Sequence, residues 1–213
     1  GVNHNGDYGR AVEMIHAAKE AGADYVKFQT AVPELVISTF APKAAYQKET
    51  TGDGESQLDM CRKIHLRLED YAPLMEECKR TGIGFMSTPF DLVSIDCLAQ
   101  LNMDWWKIPS GEITNLPYLR KIGRLGGKII LSTGMSTLDE VEEALKVLEK
   151  AGTTRKNVIL LHCTTQYPTP YEAVNLRAMN ALATLGAAAV GYSDHTQGIE
   201  VPVAAVALGA KVI

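Results

Sequence analysis

Short, nearly continuous apolar segments alternate along the chain with segments whose apolar residues recur every three or four positions. Segment 128–131 is an example of the first kind, which is typical of parallel strands covered by helices. The clearest helical pattern follows Ser136 and has one apolar stripe, formed by Leu138, Val141, Leu145 and Leu148. Ser136 and Asp139 predict a capping box at its start, and Gly152 predicts its end.

The whole pattern predicts an α/β fold of repeated strand–helix units. Predicted strands lie at residues 25–29, 84–88, 105–109, 128–132, 158–163, 188–192 and 211–213. Predicted helices lie at residues 8–21, 57–64, 69–81, 92–101, 116–125, 138–150, 176–185 and 199–208. Residues 1–3 look like the tail of an eighth strand.

Eight strand–helix units suggest a (β/α)8, or TIM, barrel, which typically has about 250 residues. We therefore predict that residues 1–213 form a single TIM-barrel catalytic domain whose first strand and last helix are incomplete. The competing architecture is an open, doubly wound sheet, but no strand is followed by the G-x-G-x-x-G loop that often accompanies it. Segment 31–68 interrupts the alternation of strands and helices, and loops this long are usually functional. For the distal half of this segment, a surface insertion is an equally open interpretation.

Polar residues are concentrated where the predicted strands end, which is where a barrel carries its chemistry. Lys27 and Gln29 share one face of their strand, and Lys107 lies near the end of another. Two converging lysines beside the hydroxyls of Thr88, Ser110 and Ser132 predict a site for a small, multiply charged anion. The alternative is that each lysine pairs with a structural carboxylate such as Glu112.

Composition restricts the class of protein. Hydrophobic residues make up 46% of the chain and charged residues 22%, as expected for one soluble domain. The net charge is −4 and is spread along the chain, so we expect no nucleic-acid partner and no membrane surface. The four cysteines are widely spaced, which favours a reduced, cytoplasmic setting. His195 is a candidate metal ligand, but spacing alone favours a structural histidine there.

Nine short motifs in this sequence resemble those of the N-acetylneuraminate (sialic acid) synthase family, including its legionaminate-type members. They occur in the family's order, at residues 1–7, 26–30, 87–91, 107–113, 131–135, 162–164, 167–168, 174–177 and 191–196. The resemblance implies an enzyme that condenses phosphoenolpyruvate with N-acetylmannosamine to give N-acetylneuraminate and phosphate. It also implies a divalent metal, Mn²⁺ or Mg²⁺, that polarises the sugar aldehyde.

The resemblance assigns a role to individual residues. The residues that resemble the phosphoenolpyruvate-binding set are Lys27, Thr88, Lys107, Ser110, Ser132 and Ser193. Gln29 and Tyr167 resemble amino-sugar contacts, and Thr165 stands where the family can have Asn. Glu112 resembles the acidic residue near the tetrahedral intermediate and joins Lys27 and Lys107 as a catalytic candidate; His195 resembles one of two metal histidines.

The sequence also departs from the family's pattern. A second metal histidine is expected just beyond residues 211–213, and a glutamate just before residue 1. The family's C-terminal antifreeze-like domain, which reaches the partner subunit of a homodimer, is absent from these 213 residues. We therefore expect this chain alone to bind metal weakly and turn over slowly.

Three other functions stay open. An N,N'-diacetyllegionaminate synthase would use a diacetamido-trideoxy hexose, and segment 41–48 is compatible with either sugar. A Schiff-base aldolase would use Lys27 or Lys107 as nucleophile and need no metal. A non-catalytic barrel that binds an anion or a sugar is the third.

Overall fold

A computed structural model describes residues 2–43, 52 and 54–213 of the chain. The chain divides into two compact units, Gly1–Asp104 (unit 1) and Trp105–Ile213 (unit 2). Strands and helices alternate in both units, and the strand pairs within each unit are parallel. This confirms the predicted α/β class.

Unit 1 is built around a pair of parallel strands. Its elements are α1 (Tyr8–Glu20), β1 (Tyr25–Thr30), α2 (Pro33–Val36), α3 (Gln57–Ile64), a 3-10 turn (Leu68–Asp70), α4 (Tyr71–Thr81), β2 (Gly84–Pro89) and α5 (Leu92–Ala99). Strand β1 pairs with β2 from Tyr25 opposite Gly84 to Thr30 opposite Pro89. Phe28 stacks on Phe85 in the core of the unit, with 5.5 Å between ring centroids. The register therefore sets the carboxyl ends of both strands at one edge.

Unit 2 contains four parallel strands in sequence order. Its elements are β3 (Trp105–Ile108), a 3-10 turn (Ser110–Glu112), α6 (Leu116–Leu125), β4 (Lys128–Ser132), α7 (Leu138–Ala151), a 3-10 turn (Arg155–Asn157), β5 (Val158–Cys163), a 3-10 turn (Tyr171–Ala173), α8 (Ala178–Ala183), β6 (Ala189–Ser193) and α9 (Glu200–Ala207). Helices α6 and α7 pack together, and a Cβ on Gly123 would lie 2.7 Å from that of Ala151. This close packing requires glycine in α6.

The start of α7 differs from the prediction by one residue. Thr137 is the N-cap and forms the capping box with Glu140, whereas the predicted pair was Ser136 and Asp139. The Ser136 hydroxyl instead donates to the Gly134 carbonyl, so it is occupied by the preceding turn. The predicted end of the helix at Gly152 is confirmed.

The terminal strands were predicted wrongly. Residues 2–3 lie in an irregular segment and turn, and residues 211–213 form no assigned strand. The last residues nevertheless run beside β6, because Lys211 N donates to Val190 O and Tyr192 N donates to Val212 O, both at 2.9 Å. Two such bonds are too few to define a strand, although they follow the pattern of a parallel pair.

Segment 31–68 contains the short helix α2 and ends in the predicted helix α3. Of segment 41–48, which the sequence relates to sugar choice, residues 44–48 lie outside the described residues. Among the residues that are described, no helix is both long and apolar enough to cross a membrane.

Candidate active site

A buried lysine lies at the end of β3. Lys107 is 5% exposed, and its Nζ donates to Ser132 Oγ at 2.7 Å and to Ile108 O at 2.9 Å. Ser132 is the last residue of β4 and is buried as well. A charge in this position is stable only with polar partners or an anion. Within unit 2 the structure thus brings together two residues of the predicted anion site, Lys107 and Ser132.

Ser110 is the meeting point of the segments that follow β3, β4 and β5. Its Oγ accepts a hydrogen bond from Gly134 N at 2.9 Å and lies 3.3 Å from Cys163 Sγ. A Cβ on Gly134 would lie 2.7 Å from Thr165 Cγ2, 3.0 Å from Ser110 Oγ and 3.1 Å from Cys163 Sγ. The backbone of residue 134 thus approaches these side chains as closely as glycine allows.

Glu112 is fixed by the 3-10 turn that follows β3. The turn begins after Pro109, whose backbone is extended, and it ends at Glu112, which is half-buried. Asn115 Nδ2 donates to Glu112 Oε2 at 2.6 Å, and Asn115 also caps α6. The carboxylate is therefore oriented by the loop itself.

In unit 1 the predicted site residues differ in exposure. Thr88 is buried at the end of β2, Gln29 is half-buried, and Lys27 is exposed rather than enclosed as the sequence suggested. The Gln29 carbonyl accepts a hydrogen bond from the Tyr71 hydroxyl at 2.6 Å, which holds the end of β1 against α4. Burial raises the pKa of Tyr71 to about 12, so it stays a neutral donor.

His195 lies in the loop after β6, two residues beyond the half-buried Ser193 that ends the strand. Its Nδ1 is 2.8 Å from the Thr164 carbonyl, which can only accept, so Nδ1 is the donor and, in the neutral imidazole, Nε2 is the acceptor nitrogen. Tyr167, which is 50% exposed, packs edge-on to this ring with 4.5 Å between centroids. The structure thus brings together two of the residues predicted from the sequence.

The chemistry of His195 fits one position of a metal site, since a histidine ligand usually has its second nitrogen bonded to such an acceptor. The described residues contain no group of three or more His, Cys, Asp or Glu side chains that could hold a metal ion. An ion bound to His195 would need further ligands that do not come from such a cluster. Mg²⁺ and Mn²⁺ commonly take water and substrate oxygens as ligands.

Sequence reasoning missed three contributors to this arrangement. Cys163 and Gly134 contact Ser110, and Thr164 orients His195 through its carbonyl. The types of group involved gave little signal, because a thiol, a glycine and a backbone oxygen do not by themselves indicate an anion or metal site. The available signal was their position directly after the ends of β4 and β5.

Two known proteins with similar sequences bear the same name. The chain is 55% identical to the N,N'-diacetyllegionaminic acid synthase of Campylobacter jejuni subsp. jejuni, covering 100% of this chain and 64% of that protein. It is 46% identical to the N,N'-diacetyllegionaminic acid synthase of Legionella pneumophila, covering 100% of this chain and 60% of that one. The chain thus spans about three-fifths of the length of these relatives.

The fold is shared with a solved structure, that of N-acetylneuraminic acid (sialic acid) synthetase from Leptospira borgpetersenii. The two align with a TM-score of 0.85 at 31% identity, over 100% of this chain and 68% of the other. This likeness confirms the predicted α/β fold of (β/α)8 type. A profile described as the NeuB family matches residues 14–213. With that match over nearly all of its residues, the chain belongs to the NeuB family.

Proposed function

We propose that this chain carries the catalytic barrel of a phosphoenolpyruvate-dependent synthase that acts on a diacetamido-trideoxy hexose and forms an N,N'-diacetyllegionaminate-type acid. Two relatives, at 55% and 46% identity, bear that name, whereas the human N-acetylneuraminate-9-phosphate synthase is 34% identical. These relatives favour the sugar of the alternative sequence hypothesis over N-acetylmannosamine.

The observation that carries the proposal is the buried Lys107–Ser132 pair. Phosphoenolpyruvate offers a phosphate and a carboxylate, and a desolvated ammonium binds such groups far more strongly than an exposed one does. Ser110, half-buried in the neighbouring loop, adds a hydroxyl donor. A site built this way binds a small anion, whichever sugar follows it.

Carbon–carbon bond formation needs the enol carbon C3 to attack the sugar aldehyde, whose oxygen takes up a proton, while water adds to C2 and loses a proton. The C2–O bond to phosphate then breaks, the new C2 hydroxyl becomes the keto group, and its proton leaves with the phosphate. Lys107 would offset the negative charge on the phosphate as it leaves. Glu112, held by Asn115, would accept the proton that the attacking water loses. Tyr167 and Thr165 are proposed sugar contacts of unit 2, and Ser193 a proposed anion contact. Proposed substrate contacts of unit 1 are Lys27, Gln29 and Thr88.

A divalent ion, Mn²⁺ or Mg²⁺, would supply Lewis-acid polarisation of the aldehyde carbonyl, and His195 is the residue that would hold it. The contribution of the chain is to fix the imidazole. Nδ1 donates to Thr164 O, with 2.8 Å between the nitrogen and the oxygen, so the ring presents Nε2 without rotating.

A Schiff-base mechanism at Lys107 would require its Nζ, which donates to Ser132 Oγ and Ile108 O, to leave these acceptors and attack a carbonyl as a neutral amine. Borohydride treatment with substrate would trap an adduct only if that mechanism operates.

The natural gene product should release phosphate from phosphoenolpyruvate with Mn²⁺ and the diacetamido-trideoxy hexose, and faster than with N-acetylmannosamine. Preference for N-acetylmannosamine would overturn the sugar assignment and leave the reaction class standing. Phosphate release that continues after chelation would exclude a metal from the mechanism. No phosphate release with either sugar would overturn the proposed function. The expected homodimer and cytoplasmic location are proposals that gel filtration and cell fractionation can test.

A further inference from the structure

The Ser110 hydroxyl lies between a backbone amide and a buried thiol. Gly134 N donates to Ser110 Oγ at 2.9 Å, and Cys163 Sγ lies 3.3 Å from the same oxygen. Cys163 is buried, whereas Ser110 is half-buried. The side of the hydroxyl that remains available to a ligand is therefore the side away from the thiol and the amide.

The donors and acceptors at this oxygen can be counted. A serine hydroxyl has one proton to donate and two lone pairs that accept. The Gly134 amide occupies one lone pair. If the Cys163 thiol donates to Ser110 Oγ, it occupies the second lone pair, and the Ser110 proton can then point only towards a ligand. If the serine donates to sulfur instead, it has no proton for an anion.

We propose that Cys163 is a positioning residue, which donates its S–H to Ser110 and so directs the Ser110 proton to a bound anion. The inference rests on the proposed function, with phosphoenolpyruvate as that anion. The approach of Gly134 supports it, since a Cβ there would lie 3.0 Å from Ser110 Oγ and 3.1 Å from Cys163 Sγ. The three groups are held at contact distance and cannot separate without moving two loops.

The test is a double-mutant cycle on the natural gene product. Cys163→Ala should weaken phosphoenolpyruvate binding, measured by calorimetry, by roughly two- to tenfold, the usual worth of one hydrogen bond. Cys163→Ser, which restores a donor, should recover part of the loss. In a Ser110→Ala background, Cys163→Ala should cause no further loss. The KM for phosphoenolpyruvate should rise accordingly while the KM for the sugar stays the same.

Cys78→Ala is the matched control, because Cys78 is a fully buried cysteine of α4. It should lower thermal stability and leave phosphoenolpyruvate affinity unchanged. Equal losses from Cys163→Ala with and without Ser110 would overturn the proposal, and so would a loss that Cys163→Ser does not relieve. Coupling between Cys163 and Ser110 in the cycle, together with no phosphate release by the wild-type protein, would overturn the proposed function and support the positioning role. Phosphate release by the wild-type protein, together with additive effects of the two substitutions, would support the proposed function and overturn the positioning role.

Discussion

Gly134→Ala tests whether the loops around Ser110 are packed as tightly as the structure indicates. The new methyl carbon would lie 2.7 Å from Thr165 Cγ2 and 3.0 Å from Ser110 Oγ, well inside the 3.4 Å at which ordinary contact begins. Crowding of this kind costs about 1–3 kcal/mol in a packed interior. The same change also restricts the unfolded chain, which stabilises the protein by about 0.4–1 kcal/mol. The net effect is destabilising unless the loops yield at little cost.

Gly111→Ala separates the two contributions. An added Cβ there meets nothing within 4 Å, and Gly111 is not among the glycines with positive φ. It should therefore show only the stabilising unfolded-state effect. The difference in free energy of unfolding between the two variants isolates the crowding, and we expect about 1–3 kcal/mol, or roughly 2–12 °C in Tm.

Urea titration followed by circular dichroism measures this difference, and calorimetric titration with phosphoenolpyruvate measures the effect on Ser110. Gly134→Ala should bind the anion more weakly than wild type, because the methyl group displaces the Ser110 hydroxyl. Equal stability of the two alanine variants would show that the loops are loosely packed and would refute the reasoning.

Three further changes test other parts of the structure. Lys107→Met should lower phosphoenolpyruvate affinity at least about tenfold by calorimetry, since charged hydrogen bonds are the stronger class; unchanged affinity would place the anion elsewhere. His195→Ala should raise the Mn²⁺ concentration that gives half-maximal phosphate release at least about tenfold, and an identical metal titration would exclude His195 as a ligand. His65 has a pKa lowered below 6.5 by burial, despite the Cys61 carbonyl and Asp91. As pH falls below 6.5, His65 takes up a proton in the unfolded chain before it does so in the folded one, so the free energy of unfolding should fall. Urea titrations at several pH values should show a shallower fall for His65→Gln than for wild type. Parallel curves for the two proteins would contradict a lowered pKa of His65.

Much of the fold could be predicted because the apolar pattern marks element interiors. The segments that became β4 and β5 and the helix at Leu116–Leu125 were predicted with the observed bounds. The start of α7 was predicted one residue too early, because two neighbouring residues could each cap the helix. Ser136 and Thr137 are both good N-cap residues, and only the hydrogen bond from Ser136 to the preceding turn decides between them.

The candidate site was predictable where function depends on residue type and less so where it depends on distance. Lys107 and Ser132 were found because charged and hydroxyl groups at strand ends are conspicuous. Cys163 was not, since its proposed role comes from the end of β5 lying 3.3 Å from Ser110, which is 53 positions away in the chain. The exposure of Lys27 was also not predictable, because position on a strand face does not reveal how open that face is.

The run of Lys211–Ile213 alongside β6 depends on one residue of that strand. Lys211 N donates to Val190 O and Tyr192 N donates to Val212 O, both at 2.9 Å. Gly191 permits this approach, because a Cβ there would collide with the Val212 carbonyl and lie 2.7 Å from Leu161 Cδ2. A single glycine in the middle of β6 therefore sets how closely segment 211–213 can pair with the strand, and a bulkier residue at position 191 would push the segment away and break both hydrogen bonds.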